Sequence, residues 1–210
     1  MGGDTPKTAT DLFGGGPAPR DTREKLVFTA LNLFYEHGFH AVGLDRVLAQ
    51  VGVTKTTFYN HFESKDDLAV AAVRLRDKWE MDAFARLVKD KAGYDPKAML
   101  LAMFDVLDDW FNHPDYHGCL FITAVSEFPS KHDPIHRAAA SHFADSREAI
   151  AKMAEAIGIR DTGAFADEWA VLLEGAVVYR QITYDNSAAA VAKRIAEARL
   201  NDYLQQKQAP

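Results

Sequence analysis

The chain lacks several features that would assign it to common classes of protein. Its 210 residues include a single cysteine, Cys119, which excludes an internal disulfide and suits a reducing cytoplasm. No apolar run approaches the ~18–20 residues that a transmembrane helix needs. The N-terminus also lacks the apolar core of a signal peptide. We therefore expect a soluble cytoplasmic protein with no membrane partner.

Catalytic and metal-binding patterns are equally scarce. The glycine run Gly14–Gly16 is followed by Pro17 and comes after no predicted strand, so it does not read as a phosphate-binding loop. No nucleophile, base and orienting group stand out, and we expect neither an enzyme nor a cofactor. Two histidine pairs have a spacing of four, but Pro114 breaks one and Asp133-Pro134 lies within the other, so a metal site is not expected. These pairs are His113 with His117 and His132 with His136.

The net charge of −6 at pH 7 bears on possible partners. It argues against a protein that coats DNA through broad positive charge. It remains compatible with a small DNA footprint in which a few cations sit at one end of an acidic body. Ordinary solubility is the preferred explanation of the acidic charge.

Apolar residues recur at helical spacing along nearly the whole chain, and no segment favours a strand. Asp95-Pro96 and Asp133-Pro134 each combine an N-cap residue with a proline, which is typical of a helix start. Residues 1–20, rich in Gly, Pro and Thr, are predicted to form a flexible tail. About nine helices with short connections predict an all-α fold. The predicted helices span about 21–38, 44–51, 54–61, 64–89, 95–111, 119–128, 133–158, 162–184 and 187–206.

Residues 38–68 contain two short predicted helices joined by a turn. Leu44–Val51 has apolar residues at helical spacing, and Gly52 follows where a left-handed conformation costs no Cβ clash. Thr54 can cap the second helix, whose exposed side is polar. Two such helices form a helix-turn-helix, whose second helix enters the DNA major groove.

A longer pattern covers the same segment and runs Gly38-Phe39, Asp45-Arg46-Val47, Gly52-Val53-Thr54-Lys55, Phe58-Tyr59, His61-Phe62, Ser64-Lys65-Asp66 and Leu68. This pattern resembles the DNA-binding domain of the TetR (tetracycline-repressor) family of bacterial transcription regulators. A looser match, Gly118–Ile122 followed by Glu127-Phe128-Pro129, resembles the regulatory domain of one TetR subgroup. The resemblance implies a helix-turn-helix DNA-binding domain over residues 21–63 and a ligand-binding and dimerisation domain over residues 64–206.

Two positions depart from the family pattern. Gly43 stands where the family usually has a Ser or Thr that caps the first short helix, and glycine is a tolerable but weaker N-cap. Thr56 stands where glycine or proline is frequent. Because this second change alters the base-facing surface, the operator sequence cannot be borrowed from a relative.

The resemblance implies contacts with double-stranded operator DNA. Arg46 and Lys55 can donate to guanine, and Asn60 can pair with adenine. The other polar residues are expected to touch a thymine methyl group or to hold phosphates, whereas Phe58 and Phe62 are expected in the core. The alternative is that Tyr59 and His61 are simply packed rings and that Lys55 is a solvated charge. The predicted DNA-contacting residues are Arg46, Thr54, Lys55, Thr56, Thr57, Tyr59, Asn60, His61 and Lys65.

One helix-turn-helix reads few base pairs, so we expect a homodimer. The last two predicted helices support this, because the first of them carries two apolar stripes where packing on its own domain needs one. We predict a two-fold, four-helix interface between residues 165–184 and 188–204 of each protomer. The alternative is a helix buried within one protomer. The predicted interface residues are Val171, Gly175, Val178, Ile182, Ile195 and Leu200.

Aromatic and methionine side chains are abundant around the helix that begins at Asp95. Small-molecule sites are lined in this way, although a well-packed core is the alternative. His142 and Ser146 could orient a ligand, while Cys119 could be a pocket wall, a thiol sensor or simply a small buried hydrophobic residue. The predicted ligand-binding residues are Trp79, Met103, Phe104, Leu107, Trp110, Phe111, Cys119, Phe121, Phe128, His142, Phe143, Ser146, Trp169 and Leu173.

These patterns predict a sequence-specific transcription regulator. Resemblance to ligand-responsive repressors favours a repressor that an apolar or aromatic small-molecule effector releases from its operator. The alternative is a constitutive DNA-binding regulator without a ligand.

Overall fold

Nine α-helices and no strand make up residues 18–206, the part of the chain that the computed structural model describes. The all-α prediction is confirmed, and the predicted helix ends differ from the observed ones by at most a few residues. Except for its last three residues, the predicted flexible tail lies outside the described part. In chain order the helices are α1 (Thr22–His37), α2 (Leu44–Val51), α3 (Lys55–Tyr59), α4 (Lys65–Ala92), α5 (Pro96–Phe111), α6 (Leu120–Glu127), α7 (Pro134–Ala156), α8 (Thr162–Thr183) and α9 (Ala188–Gln206).

Side-chain caps explain where several helices begin. The Asp21 carboxylate accepts the Glu24 backbone N–H at 2.8 Å, which satisfies one free amide of α1. Asp95 does the same for α5 by accepting the Lys97 N–H at 3.1 Å, and Pro96 occupies the first helical position. Both starts agree with the sequence prediction. Among residues 18–206, no helix is both long enough and apolar enough to cross a membrane.

The helices pack into two bodies. Of the described residues, the first body contains 18–80 and 117–142, and the second contains 81–116 and 143–206. The sequence predicted a domain boundary between residues 63 and 64. The first body instead extends to residue 80, because the first half of α4 packs with α1. The Trp79 and Phe28 ring centroids, for example, lie 6.0 Å apart. The segment after residue 116 joins the same body, and the His117 N–H donates to the Tyr35 hydroxyl at 3.1 Å.

Aromatic pairs occupy the core of the first body. Phe34 stacks on Phe39 with ring centroids 4.8 Å apart, and Phe58 stacks on Phe62 at 5.6 Å. All four side chains are buried, so Phe58 and Phe62 lie in the core as predicted. Their burial supplies much of the apolar area that holds the short helices α2 and α3 in place.

The second body is built around α5, α8 and α9. Small alanine side chains on the inner side of α9 are buried, which lets this helix lie close to its neighbours. Two ion pairs flank that packing: Lys193 Nζ lies 2.7 Å from Asp105, and Arg199 Nε lies 2.8 Å from Glu168. Hydrogen bonding to Arg199 lowers the pKa of Glu168, so this carboxylate keeps its charge to lower pH than a free glutamate does.

Candidate nucleic-acid interface

The predicted helix-turn-helix is formed by α2 and α3 of the first body. α2 ends at Gly52, which has a φ of +78° and donates its N–H to the Leu48 carbonyl at 2.9 Å. This left-handed conformation favours glycine. Thr54 then caps α3, since its hydroxyl oxygen accepts the Thr57 N–H at 3.2 Å. The chain therefore changes direction sharply between two short helices, as a DNA-reading motif requires.

The outward side of α3 is polar although its inward side is aromatic. Tyr59 is 58% exposed, whereas the preceding Phe58 is fully buried. Only the outer side chains can therefore reach a ligand. Of the predicted DNA-contacting residues, most are exposed and Thr57 and Lys65 are half-buried. The exposed ones are Arg46, Thr54, Lys55, Thr56, Tyr59, Asn60 and His61.

Both cations expected to read guanine have partners within the protein. Lys55 Nζ lies 2.9 Å from Asp45 Oδ1, and both side chains are exposed. The hydrogen bond to Asp45 and the attraction of its charge raise the pKa of Lys55, so the amine keeps its proton to higher pH than a free lysine does. The Arg46 guanidinium donates to His37 Nε2 at 2.6 Å. Such exposed contacts are weak and exchange readily with water or another acceptor.

Lys65 sits differently from the other predicted cations. Its amine donates to the Phe39 backbone carbonyl at 2.6 Å, in a half-buried position. An ammonium group has three donors, so two remain for other acceptors. Lys65 thus ties the first turn of α4 to the turn that precedes α2, in addition to any contact with a phosphate.

Glu127, at the end of α6, makes a second contact with the turn that precedes α2. Its carboxylate accepts the Phe39 N–H at 2.9 Å and the His40 N–H at 2.6 Å, and it also contacts His40 Nδ1 at 2.5 Å. Gly38 begins this turn with a φ of +82°, and a Cβ added there would lie 2.6 Å from Glu127 Oε1. The conformation favours glycine here, and any larger side chain would also displace the Glu127 carboxylate from its contacts with the turn.

The role of Glu127 is not evident from the sequence pattern. Glu127 was part of the looser family match, but that match does not indicate its partners, which lie 87 and 88 residues away in the chain. Residues 38–43 connect α1 to α2, and Phe39 and His40 lie in this connection. The Glu127 contact therefore sets the position of the helix-turn-helix on its supporting helices.

Two family descriptions match the sequence. That of bacterial regulatory proteins of the tetR family matches residues 26–72, and that of the tetracyclin repressor-like C-terminal domain matches residues 96–196. Together they cover more than half of the chain. The chain belongs to the TetR family. TetR proteins are DNA-binding regulators of transcription rather than enzymes, and they bind operator DNA as dimers.

Individual relatives agree with this assignment. A TetR-family transcriptional regulator from Streptomyces coelicolor is 28% identical with a TM-score of 0.76, over 87% of this chain and 95% of its own. The transcriptional repressor NemR of Escherichia coli is 28% identical over 51% of this chain and 54% of NemR. The transcriptional activator FasR of Mycolicibacterium smegmatis is 38% identical over 29% of this chain and 28% of FasR. The matches thus span about half or less of these two curated relatives, whose named roles are opposite.

Five of the predicted ligand-binding residues lie in the first body of this TetR protein. His142 and Phe121 come together: their rings stack at 3.8 Å, and His142 Nδ1 lies 2.8 Å from Asp77 Oδ1. Cys119 is buried, and Trp79 packs beside Phe28.

The fifth of these residues, Phe128, lies in other surroundings. Its ring stacks on His40 at 4.9 Å and meets the edge of Phe39 at 5.7 Å. Phe128 therefore belongs with the turn that Glu127 holds.

α4 also carries a buried ion pair that the sequence pattern did not predict. Arg76 Nε donates to Glu80 Oε2 at 2.7 Å, and the guanidinium lies 5.1 Å from the centre of the Tyr35 ring. Both charged side chains are buried, next to Asp77 on the same helix. Buried charges persist only when they are paired. The spacing of four residues between opposite charges was the available signal, but it usually marks an exposed helix face.

The remaining predicted ligand-binding residues lie in the second body, where most of them form a packed core. The Trp169 ring meets Phe104 at 5.4 Å and stacks on Phe165 at 4.9 Å. Trp110 meets the Tyr116 ring at 4.9 Å. Phe143 and Ser146 are half-buried, and the others are buried. The buried ones are Met103, Phe104, Leu107, Trp110, Phe111, Trp169 and Leu173.

The four histidines with a spacing of four make separate local contacts. His113 Nδ1 accepts the Asp115 N–H at 3.3 Å, and His136 Nδ1 lies 2.8 Å from the Phe128 carbonyl oxygen. Within residues 18–206, no three His, Cys, Asp or Glu side chains gather in a way that could hold a metal ion.

The second body exposes an apolar surface along α8 and α9, which we call the α8–α9 surface. It contains a cleft of about 300 Å³, and Val171 and Ile182 are each 71% exposed. Four of the predicted interface residues are exposed apolar side chains here, and Gly175 lies among them. Leu200 differs, because it is only 1% exposed and packs within the protomer. The exposed apolar residues of the prediction are Val171, Val178, Ile182 and Ile195.

Proposed function

We propose that this TetR-family regulator is a homodimeric repressor that leaves its operator when an apolar or aromatic small molecule binds. The observation that carries the DNA-binding half of this proposal is the two-sided chemistry of α3. A buried aromatic inner side fixes the helix, and an exposed polar outer side is free to meet base edges and phosphates.

The DNA contacts divide by chemistry. Lys55 and Arg46 donate to guanine and Asn60 pairs with adenine, because these side chains are exposed and of the required donor and acceptor types. Tyr59 and His61 contact the backbone. Leaving Asp45 costs Lys55 little, since an exposed ion pair in water is weak.

The dimer is supported by the α8–α9 surface. Large apolar patches on a soluble protein mark interaction sites, and a second copy of the same surface is complementary to it in a two-fold arrangement. Gly175 lies within the cleft, and a Cβ added there would meet no atom within 4 Å in one protomer. The space above Gly175 is thus open to a partner helix.

The effector half of the proposal is supported by the buried polar groups along α4. Asp77, bound to His142, and Arg76, bound to Glu80, lie among aromatic rings in the first body. A few polar groups within an apolar surround are typical of small-molecule sites. An effector that rearranges these contacts moves α4, which begins at Lys65, and so changes the distance between the two reading helices of the dimer.

The name of one relative, the repressor NemR, favours repression, although the named activator FasR shares more identity over a shorter segment. We therefore test function without assuming the operator. Duplexes selected from a random DNA library by the full-length protein provide a binding site. A thermal-shift screen of apolar and aromatic compounds then provides candidate effectors, which are scored by release of that duplex.

Effector control requires a coupling of about 1–3 kcal/mol between ligand and DNA, or roughly 5- to 150-fold in affinity. Compounds that stabilise the protein and weaken the duplex complex by such a factor support the proposal. Selection that enriches no sequence contradicts it. Enrichment of a sequence that no stabilising compound releases favours the constitutive alternative instead. The α4 mechanism is wrong if free and effector-bound dimers hold their reading helices at the same spacing.

A further inference from the structure

A cleft of about 460 Å³ lies between α1 and α4 in the first body, lined by residues from 19–28 and 71–79. Small-molecule sites typically measure roughly 300–1,000 Å³. None of the residues predicted to contact DNA lines this cleft. Of the residues predicted to contact the effector, only Trp79 does. The cleft is therefore a separate feature of the molecule.

The side chains that line the cleft are strongly cationic. Its single carboxylate, that of Glu24, is already bound by Arg20 at 3.0 Å. Arg74 and Lys78, one turn apart on α4, are both exposed and have no ion-pair partner among residues 18–206. Arg23 adds a third cation and lies 4.9 Å from the Phe62 ring centre. On a protein with a net charge of −6, this is a local concentration of uncompensated positive charge.

The walls beneath these cations are apolar and aromatic. Phe28 and Trp79 are both half-buried, with ring centroids 6.0 Å apart and planes inclined at 59°. Leu75, one turn before Trp79, is also half-buried. A flat apolar group in the cleft could pack against both rings. An acidic group on it could then bind the guanidinium and ammonium groups above.

DNA phosphate explains this arrangement poorly. Arg74 and Lys78 follow Lys65 by 9 and 13 residues on one helix, which places them about 14 and 20 Å along the axis from the predicted phosphate contact. Phosphates have no apolar surface that would need Phe28 and Trp79. Both observations point to a ligand that combines an acidic group with an apolar body.

We propose that the α1–α4 cleft is a binding site for a small organic anion. A planar aromatic or apolar body contacts Phe28, Leu75 and Trp79, and a carboxylate or sulfonate binds Arg74 and Lys78. This site is distinct from the proposed effector contacts around His142, and its occupancy does not depend on any binding of DNA.

The test uses two probes with the same aromatic skeleton. 8-Anilinonaphthalene-1-sulfonate carries the anion, and N-phenyl-1-naphthylamine lacks it. The chain has three tryptophans, of which Trp110 and Trp169 are buried in the second body. The indole N–H signals of ¹⁵N-labelled full-length protein, assigned with Trp79→Phe, therefore report binding at this cleft separately from binding elsewhere.

The sulfonate probe should shift the Trp79 signal in a saturable way and bind more tightly than its neutral analogue. Arg74→Ala and Lys78→Ala should each raise the Kd read from that signal about fivefold, the loss expected for a solvent-screened charge pair. Arg86→Ala removes an exposed cation from the same helix outside the cleft and should leave the Kd unchanged.

Two results would overturn the site. One is a titration in which only the Trp110 or Trp169 signals move, or in which both charge variants bind as tightly as the parent. The other is release of the probe by a DNA duplex together with loss of DNA affinity in Arg74→Ala and Lys78→Ala, which would make the cleft part of the DNA-binding surface. A protein that binds the probe but selects no operator would contradict the proposed function and leave this site standing.

Discussion

The outer side of α3 and the α8–α9 surface are both exposed, but their chemistry is opposite. α3 and the two residues after it present hydroxyl, ammonium, amide and imidazole groups above a buried aromatic side, whereas α8 and α9 present valine, isoleucine and tyrosine side chains to solvent. Water hydrates the polar surface without a free-energy cost, so this surface needs a partner only for function. The apolar surface is costly to leave exposed, because water contacts side chains that favour burial.

This difference indicates which partner each surface takes and how strongly its binding depends on conditions. Binding through the α3 surface should weaken steeply with salt, because it exchanges phosphate counterions for cationic side chains. Association through the α8–α9 surface should depend little on salt, because it is driven by the burial of apolar area. A substitution in one surface should therefore leave binding through the other unchanged. The exception is that loss of the dimer also reduces the specificity of DNA binding.

The largest effect is expected from placing a charge in the apolar surface. Val171→Glu would bury one carboxylate from each protomer in a two-fold interface without a compensating cation. This should weaken dimerisation by about 4 kcal/mol, or roughly 1,000-fold. Sedimentation analysis over a range of protein concentrations measures the change. Ala144→Glu, at an exposed position of α7 in the same body, is the matched control and should stay dimeric. If Val171→Glu dimerises as tightly as the parent, the interface lies elsewhere.

A smaller effect, on the stability of the fold, is expected from a substitution inside the first body that alters neither exposed surface. Glu127→Ala removes the acceptor of two backbone N–H groups, one of them in the fully buried Phe39. Loss of both hydrogen bonds, with the Phe39 N–H left unsatisfied in the core, should cost about 3 kcal/mol and lower the unfolding midpoint by roughly 6–12 °C. Thermal unfolding followed by circular dichroism measures this shift.

Two further variants serve as controls for Glu127→Ala. Glu127→Gln keeps one carbonyl acceptor and should recover part of the loss. Glu148→Ala breaks an exposed pair with Lys152, which lies 2.6 Å away, and should change the midpoint far less. Equal midpoints for Glu127→Ala and Glu148→Ala would show that the turn at residues 38–40 is held by other contacts.

Base reading and phosphate binding can be separated on the polar surface. Lys55→Ala should reduce affinity for the selected duplex roughly 30-fold and change affinity for random DNA little, since a base contact discriminates between sequences. Lys65→Ala should weaken both complexes alike and lower the salt slope by about one. Titrations of both duplexes at several salt concentrations measure these effects. Equal losses of affinity on both duplexes for Lys55→Ala would contradict the assignment of Lys55 to a base contact. An unchanged salt slope for Lys65→Ala would mean that Lys65 binds no phosphate and only holds the Phe39 carbonyl.

Most of the fold could be predicted from local sequence patterns. Asp95-Pro96, Gly52 and Thr54 predicted helix boundaries correctly because caps and left-handed glycines depend on neighbouring residues. The contacts of Glu127 were not predictable, since they join segments 87 and 88 residues apart and leave no periodic trace. Leu200 was misjudged for a related reason: an apolar residue on α9 has the same sequence signature whether it faces its own protomer or a partner.

The smallest expected effect concerns the cap of α2, where this chain departs from the family pattern. Gly43 has an extended conformation with φ −75° and ψ 151°, makes no side-chain cap bond, and leaves space in which an added Cβ meets nothing within 4 Å. In Gly43→Ser the hydroxyl oxygen can accept the Arg46 N–H, which should stabilise the protein by about 0.5 kcal/mol and raise the unfolding midpoint by roughly 1–2 °C. Gly43→Ala provides the control, because alanine is a poorer N-cap than glycine and should give no gain. If alanine stabilises as much as serine, the gain comes from restricting the unfolded chain rather than from a cap. DNA affinity should be unchanged in both variants, since neither removes a polar group from the outer side of α3.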